Sequence, residues 1–170
     1  MKTVLCLLGL LSMSMIASAQ DPEFPKNEFI MHLRMHNGMV TNFKSTPDLY
    51  VGGLQIIPEW TIVEHHLRLG IVAGGFYTGK KLQGLVGPTV CVKMKSISLK
   101  DMGTGGNINL SIDHLWGTQR QRLIGAGFNV DLLNKIVIGA SMHRDYHFKN
   151  WWLQGTVAIR ISKLKKIGPL

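Results

Sequence analysis

The sequence predicts an all-β protein: an eight-stranded, antiparallel, up-and-down transmembrane β-barrel. Three observations lead there. Apolar and polar residues alternate with a period of two in eight successive segments, and no segment carries a convincing helical stripe. One face of these segments is almost free of charge, whereas the other carries charges among Gly, Asn, Ser and Thr. Aromatic residues gather at segment ends, as an interfacial girdle requires.

The first nineteen residues read as a leader, not as part of the fold. Lys2 supplies a positive start, Val4 to Ile16 is apolar, and Ala17-Ser18-Ala19 is a cleavage signal that leaves Gln20 as the mature N-terminus. Cys6 lies early in the apolar run, away from the cleavage point, which argues against a lipoprotein anchor. The expected organisation is a signal peptide at 1–19, an N-terminal periplasmic segment at 20–26, the barrel at 27–162 and a basic tail at 163–170 ending in Lys163, Lys165 and Lys166. The mature chain has a one-domain length and keeps a single cysteine, Cys91, so no intramolecular disulfide can form.

The strands follow in order. Phe29, Met31, Leu33 and Met35 face one way; Ile30, His32, Arg34 and His36 face the other. Leu54, Ile56, Pro58, Trp60 and Ile62 then alternate with Gln55, Ile57, Glu59 and Thr61. The third segment sets Leu67, Leu69, Ile71 and Ala73 against Arg68, Gly70 and Val72; the fourth sets Val86, Val90, Val92 and Met94 against Thr89, Cys91 and Lys93. Ile108, Leu110, Ile112, His114 and Trp116 oppose Asn107, Asn109, Ser111 and Asp113. The sixth segment carries Ile124, Ala126, Phe128, Val130 and Leu132 against Gly125, Gly127, Asn129 and Asp131. Ile136, Ile138, Ala140 and Met142 oppose Val137, Gly139, Ser141 and His143, and Leu153, Val157, Ile159 and Ile161 oppose Gln154, Thr156, Ala158 and Arg160. Loops are expected at 37–48, 78–84, 117–121 and 146–150 on one side. Those at 64–66, 97–105 and 133–135 fall on the other side, with both termini. Short periplasmic turns and longer outer loops are the usual arrangement of such a barrel.

Alternation alone does not say which face is outside, because a soluble barrel of the same strand number is apolar within. The charges decide. Arg34, Glu59, Arg68, Lys93, Asp131 and Arg160 share the polar face, and so many charges would be costly as the dry centre of a soluble domain. As a paired network they plug a narrow lumen, since eight strands leave an interior just wide enough for side chains. Tyr50, Trp60, Tyr77, Trp116, Tyr146 and Trp151 form the expected girdle. Facing also ranks substitutions: Ile138→Arg on the lipid side is expected to be harmful, and Gly139→Ser on the lumen side milder.

Sites are few. Ser141, His143 and Asp145 share the inward face near the outer end and are weak candidates for a hydrolytic triad, because alternate residues on one strand lie about 7 Å apart. Cys91 reads as a packed inward thiol. His65-His66 lacks a third ligand, so neither a metal nor any other cofactor is expected. The densest patch of chemistry, "HRDYHFKNWW" from His143 to Trp152, straddles the last outer loop. There Tyr146, Phe148 and Trp151 suit the interface, and Arg144, His147 and Lys149 suit headgroups or phosphates. The net charge of +9 points, in an exported protein, to anionic lipid or lipopolysaccharide phosphates and not to nucleic acid.

The leader ending before Gln20, the polar-in strands and the aromatic rims resemble the small eight-stranded outer-membrane β-barrels of Gram-negative bacteria, in particular those of Bacteroidota. The resemblance covers the whole mature chain and rests on pattern. It departs at the end, where the closing strand finishes near Ile161-Ser162 and not on an aromatic. The resemblance implies a structural or interaction role in the outer membrane, such as an accessory subunit of a larger complex with other outer-membrane proteins. The alternative it implies is a lipid A- or phospholipid-modifying hydrolase or acyltransferase, although the order Ser141-x-His143 reverses the deacylase pattern.

Overall fold

The computed structural model describes residues 28–44, 48–79, 81–99, 104–132 and 135–162. These form eight strands: β1 (Phe29–Thr41), β2 (Leu49–Val63), β3 (Leu67–Thr78), β4 (Lys81–Leu99), β5 (Thr104–Gly117), β6 (Arg122–Leu132), β7 (Ile136–Asp145) and β8 (Asn150–Arg160). Each pairs antiparallel with its sequence neighbour, and β1 pairs with β8 to close the barrel. Closure leaves no unpaired strand edge. Both chain ends of the barrel are tied at one rim. Ile161 N–H donates to the Met31 carbonyl at 2.8 Å, and Thr61 N–H to that of Glu28 at 2.9 Å. The expected segments at 1–19, 20–26 and 163–170 lie outside the described residues.

The rim that holds these ends and the connections 64–66, 100–103 and 133–135 is called here the termini rim. The opposite, loop rim carries 42–48, 79–80, 118–121 and 146–149. Several expected loops are shorter than the sequence suggested. β1 runs on to Thr41, β3 to Thr78 and β4 from Lys81 to Leu99, so 79–80 is the shortest connection of all. Gly79, at φ 54°, makes that tight reversal possible. The strands outlast the apolar alternation, because residues such as Asn37 and Gln83 continue the pairing after the pattern has faded. Loop length therefore no longer distinguishes the two rims.

Facing follows the alternation on every strand. Leu54, Ile56, Leu69, Ile71, Val86, Ile112, Ile124, Phe128, Ile138, Val157 and Ile159 are exposed on the outside. His32, His36, Gln55, Glu59, Arg68, Thr89, Lys93, Asn109, Ser111, Asp113, Asn129, Asp131, His143 and Thr156 are buried inside. A register shift between Lys93 and Lys95 turns Lys95 outward, opposite Ile108.

The lumen holds a feature that the alternation concealed. Near the loop rim, β1 to β6 and β8 each send an apolar side chain inward: Val40, Val51, Phe76, Leu85, Leu115, Leu123 and Trp152. Phe76 and Trp152 meet edge to face at 5.0 Å. Their close-packed cluster closes one end of the lumen, and charges occupy the other. Inward glycines let neighbouring chains approach. At Gly139 a Cβ would lie 2.2 Å from Asn129 Oδ1 and 2.6 Å from the Phe128 carbonyl oxygen. Gly139→Ser is therefore a steric clash and not the mild lumen change expected from facing alone.

Candidate functional site

At the termini rim, the charges predicted to plug the lumen come together from separated strands. Arg160 on β8 pairs with Glu28, just before β1, and Arg68 on β3 approaches the other oxygen of that carboxylate at 3.8 Å. Glu59 on β2 meets His32 Nδ1 on β1 at 3.5 Å. Lys93 and Asp131 are buried in the same lumen, and Arg34 is half-buried. The space left among His32, Arg34, Glu59, Arg68, Cys91 and Asp131 is only about 20 Å³, close to what one water needs. Cys91 is a free, buried thiol. Opposite charges in contact offset the cost of removing each from water, and these residues leave little open space at this end of the lumen.

Glu28 and His32 are the partners that sequence reasoning missed. His32 was placed on the inward face without a role. Glu28 precedes the first apolar residue of β1, yet it continues the inward parity of Ile30 and His32, and that parity was the available signal.

Ser141, His143 and Asp145 share the inward face of β7, but their side chains engage different partners. The Ser141 hydroxyl donates to Gln154 Oε1 on β8 at 3.4 Å. His143 Nε2 lies 3.1 Å from Asp113 Oδ2 on β5. Asp145 Oδ1 accepts from the backbone N–H groups of His147 at 3.0 Å and Phe148 at 3.1 Å. It therefore caps the 146–149 turn, the common use of an Asp that opens a reversal. His143 and Asp113 are both buried, so the pair is enclosed in the lumen. The turn also holds Lys149 at φ 60°, a left-handed conformation.

The "HRDYHFKNWW" stretch thus divides by parity. His143 and Trp152 point inward, into the polar lumen and the apolar plug. Arg144 and Trp151 point outward, with the guanidinium 5.0 Å from the ring centroid. Beside them the Tyr146 hydroxyl lies 3.1 Å from His114 Nε2, and the His114 ring packs tilted against Trp116 at 4.6 Å. Tyr50 and Tyr77 continue the exposed aromatics around the loop rim, and Tyr50 bonds to Asn37. Trp60 stands apart at the termini rim, 5.1 Å from Phe29. The predicted girdle residues are therefore concentrated at one end.

At the 64–66 turn, His66 Nδ1 is 2.9 Å from the Glu64 carbonyl and His65 Nε2 is 3.7 Å from the Glu64 carboxylate. Among the described residues no group of three His, Cys, Asp or Glu side chains could hold a metal ion.

The outer wall from β5 through β8 to Gly38 and Met39 of β1 carries one further feature, an open groove of about 650 Å³. Ala126, Ala140 and Gly155 form its floor, and Leu110, Phe128 and Met142 stand among its walls. No protein-family model matches this chain, and no curated protein and no solved structure is similar to it at a significant level.

Proposed function

We propose that this protein is an outer-membrane β-barrel of a Gram-negative bacterium, exported by a cleaved signal peptide, with a structural or interaction role. The inverted burial carries this reading. Large apolar side chains cover the outside of the barrel, while ion pairs and amides line the inside beside the apolar cluster at the loop rim. Soluble monomers rarely expose an apolar patch beyond a few hundred Å². A wall of this kind matches a bilayer, and closed pairing satisfies every strand within it. Both termini are periplasmic in this reading, and the sequence pattern resembles that of small barrels of Bacteroidota.

Two plugs, one apolar and one charged, favour anchoring or recognition over conduction. Recognition then belongs to the outer wall and the loop rim, where lipids, lipopolysaccharide or other outer-membrane subunits make contact. A hydrolase reading finds little support, because Ser141 and His143 have separate partners and His143 is enclosed.

Cell fractionation tests the proposal. The mature protein should sediment with outer membranes and migrate faster on gels before boiling than after. Recovery as a soluble periplasmic monomer would refute the membrane reading.

A further inference from the structure

Charge on this molecule is sorted by face. Between residues 104 and 160 the only carboxylates are Asp113, Asp131 and Asp145, and all three are buried. The outside of β5 to β8 therefore presents no acidic side chain. It does present Arg122 and Arg144, both at the loop rim. Ile124 pairs directly with Arg144, which makes Arg122 the diagonal neighbour of Arg144 across β6 and β7, a separation of about 7–8 Å. One phosphate can be shared by two guanidiniums at that spacing. Arg144 is already positioned by its stack on Trp151, and the Tyr146 hydroxyl and His114 stand alongside.

The groove lies directly below these cations. Met142, in its wall, is two residues from Arg144 on β7, or about 7 Å, and Ala126, in its floor, is four residues from Arg122 on β6, or about 13 Å. Register assembles the floor from three strands, since Ala140 pairs with Gly155 and lies diagonal to Ala126. Its volume of about 650 Å³ falls within the roughly 300–1,000 Å³ typical of small-molecule sites. A paired cationic head above an apolar channel is complementary to an anionic amphiphile.

We infer that the outer face of β5 to β8 is a binding site for an anionic phosphorylated lipid. Its phosphate is held by Arg122 and Arg144, and an acyl chain lies over Ala126, Ala140 and Gly155. The inference rests on the membrane reading above and gives it a specific ligand class.

The test uses the mature protein in phosphatidylcholine vesicles containing acyl-brominated lipid, which quenches nearby tryptophan. A Trp60→Phe/Trp152→Phe background leaves Trp116 and Trp151 as reporters at the loop rim. Brominated phosphatidylglycerol should reach half-maximal quenching at a mole fraction about 25-fold lower than brominated phosphatidylcholine, since each of the two arginines contributes on the order of a fivefold preference. The Arg122→Gln/Arg144→Gln pair should bring the ratio close to one, and Ala140→Leu, which fills the groove, should reduce it. Lys95→Gln, an outward cation at the other rim, should leave it unchanged. Equal quenching by the two lipids in the parent protein overturns the site. So does a preference that survives both groove and arginine variants, or an Ala140→Leu change in oligomeric state without a change in lipid preference, which would make the groove a dimer face. Protein that fails to float with vesicles and is quenched by neither lipid would instead refute the membrane reading itself.

Discussion

Arginine placed at the centre of the outer wall measures what surrounds the barrel. Ile56 is the middle residue of β2, seven positions from Leu49 and seven from Val63, and its side chain is 46 % exposed on the outer face. At about 3.3 Å per residue and a tilt near 40°, it lies roughly 18 Å along the barrel axis from either strand end. The apolar band of such barrels is about 25 Å tall, so Ile56 sits near its midplane. Ile56→Arg should cost about 2–4 kcal/mol in a bilayer. Ile138 is also outward but only two residues from the start of β7, about 5 Å in depth by the same geometry. Ile138→Arg should therefore cost less, about 1 kcal/mol, because the guanidinium reaches the interface. Guanidinium unfolding of the protein folded into phosphatidylcholine vesicles, followed by tryptophan fluorescence, gives both values. The ordering, not only the size, is diagnostic. Equal and negligible costs would mean that the outer wall meets water, and a larger cost at Ile138 would mean that the depth assignment is wrong.

Two further outcomes follow from the packing. Gly139→Ser should destabilise the barrel, whereas Gly155→Ala, whose Cβ would meet nothing closer than the Asn37 carbonyl oxygen at 3.8 Å, should be near neutral; comparable unfolding midpoints would contradict the clash. His143→Ala leaves the buried Asp113 carboxylate without its imidazole and should cost about 3 kcal/mol, with part recovered by adding Asp113→Asn. Mass spectrometry of lipids from cells carrying either form should find the same acyl chains, and loss of an acyl change with His143 would restore the hydrolase reading.

The faces of all eight strands were legible because side chains in a strand alternate strictly, and one register step would exchange every one of them. What parity cannot convey is which inward residues meet. The closest neighbours of His143 along its own strand are Ser141 and Asp145, yet its partner, Asp113, comes from β5. The apolar plug was hidden for a different reason. Leu115-Trp116, Leu123-Ile124 and Trp151-Trp152 are adjacent apolar pairs at strand ends, and in each pair one residue faces in and the other out. Such a pair interrupts the alternation and reads as interface belt, although half of it is core. Strand ends were misjudged because polar residues occupy both faces there.

The same sorting by face applies to charge among the described residues. Among the described residues, five of the seven acidic side chains, Glu28, Glu59, Asp113, Asp131 and Asp145, are buried, where they neutralise lumen cations or cap a turn. Of the cations, Arg68 and Lys93 are buried, while Arg120, Arg122 and Lys149 are exposed at the loop rim. Among the described residues, positive charge is thus paired in the interior and unbalanced on the exterior. Exposed like charges repel and are screened within about 10 Å at 0.1 M salt. An anionic surface relieves that repulsion wherever the cations are concentrated. Among the described residues Arg120, Arg122 and Lys149 share a rim with Tyr50, Tyr77, Trp116, Tyr146 and Trp151, so under the proposed membrane reading aromatic anchoring and phosphate attraction would act on the same side of the molecule.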